Sequence, residues 1–195
     1  MSSETRTAYH EAGHALIALA LQLPIATVTI DPSGDVLGSV ILAKPVNDTG
    51  APLDRSLTPE DRATVGVWDV AWSIAGLLAE QLAFGSEEGA GCAGDLRKVA
   101  IAVERTDDAA GTHEWQWRRQ TEECVERYLR TNWGAVTTLA LALLAKRTMS
   151  GAEVRATVGD VPALDLRNAE GAVRYWSQRM AARVMDETDR ATGWA

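Results

Sequence analysis

Near its start the chain reads Tyr9-His10-Glu11-Ala12-Gly13-His14, which sets two imidazoles four positions apart with a carboxylate directly after the first. On a helix, residues four apart stack one turn above each other, so both rings can reach a single metal ion. Glu11 is offset from that face, which puts it beside a water on the ion rather than on the ion itself. Zinc lowers the pKa of such a water to about 7, and a neighbouring carboxylate can take its proton as the oxygen attacks a carbonyl. The chemistry this pattern could perform is hydrolysis. H-E-x-x-H alone also arises by chance, so its setting matters: small Ala12 and Gly13 and an apolar continuation agree with a buried helix.

Catalytic zinc normally takes three protein ligands and leaves one position open. Glu80, Asp95 and His113 are the candidates for the third. Glu80 lies among Leu77, Leu78 and Leu82, where a buried acid could sit close to the metal. Asp95 follows a glycine-rich stretch and opens a helix, where an acid ordinarily only complements the helix dipole. His113 stands in a polar stretch and reads as a surface residue. Cys92 reads as a spectator thiol on a mobile loop rather than a ligand or redox latch. Residue types alone leave the choice open.

These groups must be positioned by elements that the patterning outlines. An Ala- and Leu-rich helix is expected from about Thr5 to Leu23, stopped by Pro24. Ile25–Ile30 and Val36–Leu42 flank the turn residues Asp31-Pro32-Ser33-Gly34-Asp35 and read as a β-hairpin. Lys44–Leu57 reads as a long surface loop. Thr58-Pro59-Glu60-Asp61 has the cap, the first-turn proline and the acids of a helix start, and that helix should run to Phe84. Gly85 to Gly94 holds four glycines and reads as a flexible connection before a helix near Asp95. Further helices are expected through Val103, over 113–131 and over 135–146. Ser150 and Glu153 form a capping-box pair before a short helix. Val173, Trp176, Met180 and Val184 mark a C-terminal amphipathic helix. The fold class is therefore mainly α with a small N-terminal β-hairpin.

The bulk numbers narrow the function. At 195 residues the chain suits one compact domain or a domain with an extra helical tail. A formal charge of -8 repels a phosphate backbone, so nucleic acid is not an expected partner. The longest apolar runs, 15–21 and 139–145, are far shorter than the roughly 20 residues of a membrane span, so none is expected. Two cysteines make no disulfide framework and point to a reducing, cytoplasmic compartment. The tryptophans, Trp68, Trp72, Trp115, Trp117 and Trp133 among them, read as core or interface residues.

The motifs together resemble a known family, the FtsH-type zinc metallopeptidases. AYHEAGHALIAL (8–19) is similar to the family's zinc helix and VTIDPSGDVLG (28–38) to the hairpin that follows it. IAGLLAEQLAFG (74–85) is similar to its second helix, and AGDLRKVA (93–100) to the segment whose aspartate completes the metal site. LALALLAKRTMSGAEV (139–154) is similar to a late helix and turn. The resemblance implies His10, His14 and Asp95 as zinc ligands, Glu11 as general base, and Glu80 as a carboxylate that orients a ligand histidine. It implies an FtsH-like helical peptidase domain over 1–160, followed by a C-terminal helical extension over 161–195. It also implies substrate pairing its backbone along Val36–Ile41.

Gly94 departs from the family's asparagine and Leu77 from a common arginine. The sequence holds no G-x-x-x-x-G-K-[ST] phosphate loop and no anchor segment. The expectation is a peptidase of peptides or unfolded chains without its own ATPase, self-associating or served by a separate delivery partner. The alternatives are a catalytically silent binding or regulatory module and a zinc hydrolase of small amides. His113 is a weak candidate for stabilising the oxyanion.

Overall fold

A computed structural model describes residues 2–43, 59–85, 92–110, 116–171, 173 and 175. The architecture is mainly α with one small antiparallel sheet. Helix α1 spans Ser3–Ala20. It starts two residues before the expected Thr5 because Ser2 caps it, its Oγ accepting from the Thr5 amide at 3.2 Å. It also stops earlier than Leu23. The Leu23 amide bonds back to the Ala18 carbonyl at 2.8 Å, and Gln22 takes a left-handed φ of 58°. That closure ends the helix just ahead of Pro24.

Strands β1 (Ile25–Thr29) and β2 (Ser39–Leu42) form the hairpin, with Val28 opposite Val40 and Thr29 opposite Ser39. A third strand, β3 (Thr148–Ser150), adds to the other side of β1, giving the order β2-β1-β3. The hairpin is therefore two-thirds of a sheet that a distant segment completes. Three residues are too few to show an alternating pattern, which hid β3 in the sequence. Among the described residues β2 is an edge strand.

Helix α2 (Pro59–Phe84) ends at Gly85, whose φ of 69° is the left-handed conformation of a helix terminator. Helix α3 (Cys92–Ala110) begins three residues before Asp95, so Cys92 lies in a helix rather than on a loop. Helices α4 (Gln116–Thr131), α5 (Trp133–Lys146) and α6 (Gly151–Val158) follow. At α6 the capping box is complete: Ser150 Oγ accepts from the Glu153 amide, and the Glu153 carboxylate accepts from the Ser150 amide at 2.9 Å.

The core gathers around α1, which packs against α2, α5 and β1. Leu16 and Ile17 of α1, Val67 and Val70 of α2, and Leu139 and Leu143 of α5 are fully buried. Each such side chain contributes about 1.5–3 kcal/mol by leaving water. α2 in turn carries α3 and α4 on other faces.

Beyond α6 the chain returns to the body. The Leu164 amide donates to Ala20 O at 3.1 Å, Tyr128 Oη donates to Pro162 O at 2.5 Å, and Leu166, Ala169 and Val173 are buried. The expected loop over 44–57 and the residues Trp115, Trp176, Met180 and Val184 lie outside the described residues.

Candidate metal centre

The site is built where α1 crosses α2, and small residues let the two backbones approach. A Cβ on Gly13 would lie 2.6 Å from the Ala75 carbonyl oxygen and 2.6 Å from Ala79 Cβ. On α2, Trp72, Gly76 and Glu80 are spaced by four and share one face. His14 meets Trp72 and His10 meets Glu80, so the two helices run antiparallel. Gly76 lies between those contacts and faces both rings.

Each histidine is held by its outer nitrogen. His14 Nδ1 donates to the Trp72 carbonyl at 2.8 Å, and His10 Nδ1 donates to Glu80 Oε1 at 2.8 Å. The inner nitrogens converge: His10 Nε2 lies 3.0 Å from His14 Nε2 and 2.8 Å from Asp95 Oδ2, which is 3.1 Å from His14 Nε2. Asp95 reaches in from the first turn of α3, and its other oxygen, Oδ1, accepts from Lys98 Nζ at 2.8 Å. All three residues are buried.

This donor set fits a cation. With both outer nitrogens protonated, neutral rings turn lone pairs inward toward a carboxylate oxygen that is also a lone-pair donor. Three lone pairs within about 3 Å repel unless a positive charge lies among them. Without a metal, a proton takes that role. Burial disfavours a charged His10, but hydrogen bonding with Asp95, Cys92 and Glu80 and the charge of Glu11 overcome it, and its pKa is pushed up to about 11. Burial likewise opposes ionisation of Asp95, yet the two histidines and Lys98 hold its pKa well below the usual carboxylate range. A Cβ on Gly76 would sit 2.5 Å from His14 Nε2 and 2.6 Å from His10 Nε2, so the glycine leaves open the space a metal requires.

Glu11 is 5 % exposed and points beside this cluster. Burial raises its pKa above the ordinary glutamate value, while His14 and His10 pull it back. Gly38, just ahead of β2, lies against it: a Cβ there would come within 2.8 Å of Glu11 Oε1. A cleft of about 510 Å³ opens over His10, Glu11, His14 and Asp95 and continues along Asp35–Val40. Val36, on its lining, is 54% exposed, and Ile41 of β2 is 52% exposed.

The structure thus brings His10, Glu11, His14, Glu80 and Asp95 into one site. Cys92 belongs to its surroundings. It is buried at the start of α3, with Sγ 3.6 Å from Glu80 Oε1, and the reading of it as a thiol on a mobile loop is corrected. His113 lies outside the described residues. Gly76, Gly38, Lys98 and the Trp72 carbonyl went unnoticed in the sequence. The four-residue spacing of Trp72, Gly76 and Glu80 was the signal available for two of them.

The family model of peptidase family M41 matches residues 1–114, more than half of the chain and the whole of this site. The chain belongs to peptidase family M41. Relatives of this M41 chain include the ATP-dependent zinc metalloprotease FtsH of Rickettsia bellii, 39% identical over 92 residues, which are 45% of this chain and 13% of that protein. FtsH of Pelobacter propionicus is 41% identical over 101 residues, 51% of this chain and 14% of its own length. The ATP-dependent zinc metalloprotease YME1L1 of Rattus norvegicus is 37% identical over 87 residues, 44% of this chain and 11% of its own. The matched part is thus a small fraction of those relatives. No helix among the described residues of this M41 chain is long and apolar enough to cross a membrane.

Proposed function

We propose that this chain is a zinc-dependent endopeptidase that hydrolyses peptides or unfolded polypeptides. The observation that carries this reading is the convergence of His10 Nε2, His14 Nε2 and Asp95 Oδ2 beside the buried Glu11 carboxylate. His10, His14 and Asp95 would hold the zinc. Bound there, it supplies Lewis acidity toward a carbonyl oxygen and toward water. Glu80 and the Trp72 carbonyl fix the two rings by their outer nitrogens, so that the inner lone pairs face the ion. Lys98 holds Asp95 by Oδ1 and leaves Oδ2 for the metal.

Glu11 is the proton carrier. Its carboxylate takes a proton from the attacking water and delivers it to the leaving amine. Burial raises its pKa, which makes it a stronger base than an exposed glutamate. Gly38 keeps the space beside it clear. Among the described residues nothing pairs with the outer edge of β2, which suits an extended backbone that would add as a further strand along the cleft. Strand pairing recognises main chain rather than side chains, which favours unfolded polypeptide over a small amide. Self-association, a delivery partner and a cytoplasmic setting are part of the same proposal.

The test is hydrolysis of casein by zinc-loaded protein beside Glu11→Gln with equal zinc content. Cleavage that the variant loses supports the reading. Equal cleavage by both proteins refutes the role of Glu11, and no cleavage by either favours a silent binding module.

A further inference from the structure

His10 has two ring nitrogens, and only Nε2 would ligate the proposed zinc. On the other, Nδ1 meets Glu80 Oε1 at 2.8 Å, and Cys92 Sγ approaches the same oxygen at 3.6 Å. One donor atom from each of these three residues lies within 4.8 Å of the other two. His10, Glu80 and Cys92 are 4%, 2% and 5% exposed. Glu80 Oε2 is buried and, among the described residues, accepts no hydrogen bond, while Arg6 Nη1 faces it at 3.5 Å as an ion pair. A buried nitrogen, carboxylate and thiol so arranged form the mixed donor set that zinc and its softer congener cadmium prefer. Glu80 also lines the cleft, which gives an ion a route to it.

We propose that His10 Nδ1, Glu80 and Cys92 Sγ form a second metal site, selective for thiophilic divalent cations and filled when metal exceeds one equivalent. Two protons leave to solvent as the ion enters, one from His10 Nδ1 and one from the Cys92 thiol, and no electron moves. The imidazole then bridges two ions. Glu80 binds the second ion instead of accepting from His10, so the hydrogen bond that orients the first site is lost. This second site stands on its own geometry and does not need the peptidase reading to hold.

The experiment is a titration of the purified full chain with cadmium, following both metal stoichiometry and the ultraviolet thiolate-to-cadmium charge-transfer band. The parent is expected to bind two ions, the band growing with the second. Cys92→Ser should bind one ion and show no band. Cys124→Ser should behave as the parent, because the other thiol is buried on α4 beside Arg127. Asp95→Ala should keep the band while losing one ion. Absence of the band in the parent, its survival in Cys92→Ser or its loss in Cys124→Ser would each overturn the assignment. A circular-dichroism melt of each variant separates loss of the site from loss of the fold.

Discussion

Replacing Gly76 by alanine puts one methyl group into the metal centre, and the structure gives the scale of the effect. The new carbon would lie 2.5 Å from His14 Nε2 and 2.6 Å from His10 Nε2. Zinc bonds imidazole nitrogen at about 2.0–2.1 Å, so methyl and ion compete for nearly the same volume. Forcing both to fit costs about 1–3 kcal/mol on the scale of core overpacking. That corresponds to a zinc affinity reduced roughly 5- to 150-fold. The fold loses less, because alanine is favoured over glycine inside a helix by about 1 kcal/mol. A net loss of at most about 2 kcal/mol would lower Tm by no more than roughly 8 °C in a chain of this size. Equilibrium dialysis against buffered zinc, with a circular-dichroism melt on the same samples, measures both. Parental zinc affinity in a folded Gly76→Ala protein would refute the placement of the ion between the two rings.

Three further outcomes follow from the same geometry. Asp95→Ala should abolish stable zinc retention between His10 Nε2 and His14 Nε2, whereas Glu80→Gln, which keeps a hydrogen-bonding group on His10, should weaken it only about 10- to 100-fold; equal losses at one equivalent of zinc, measured by competition with a chelator, would overturn the division of roles. Because the metal-free site holds His10 protonated up to about pH 11, zinc binding at pH 8 should release about one proton. Affinity should then rise with pH, since the proton that competes with the ion becomes scarcer, and calorimetry in buffers of different ionisation enthalpy would show no release if His10 were neutral. Ser150→Ala should cost about 1 kcal/mol by removing the α6 cap. Glu153 of the same cap has its pKa pulled down to about 2 by Lys146 and Ser150, so its contribution is full above its ordinary value near 4.5 and fades as pH falls toward about 2. The difference between parent and Ser150→Ala in urea melts should therefore narrow from pH 7 to pH 3.

Much of the site could be read from the chain because its groups lie on regular elements. The i, i+4 repeat of a helix gave His10 and His14 a shared face, and burial of Glu80 followed from its leucine neighbours. The site's other half depends on contacts between elements, which spacing within one element does not encode. Asp95 could be ranked above His113 only through resemblance, since an acid in a first helical turn looks the same whether or not a histidine faces it. Cys92 was misplaced because the glycines before it suggested a loop through residue 94, whereas α3 starts at Cys92 itself. The role of Gly76 was hidden for the same reason. A glycine within a helix shows no sign of which ring on another helix needs its missing side chain. In the fold, α1, α2, α5 and the α6 cap were legible from periodicity and capping chemistry. β3 was not, because three residues gain their meaning only by pairing with β1.

An anomalous difference map at the zinc edge, from crystals of protein loaded with one equivalent of zinc, would locate the ion among its ligands. A single peak is expected, bounded by His10 Nε2, His14 Nε2 and Asp95 Oδ2, opposite Gly76 and beside Glu11. A peak among His10 Nδ1, Glu80 and Cys92 instead, or one that excludes Asp95, would contradict that placement.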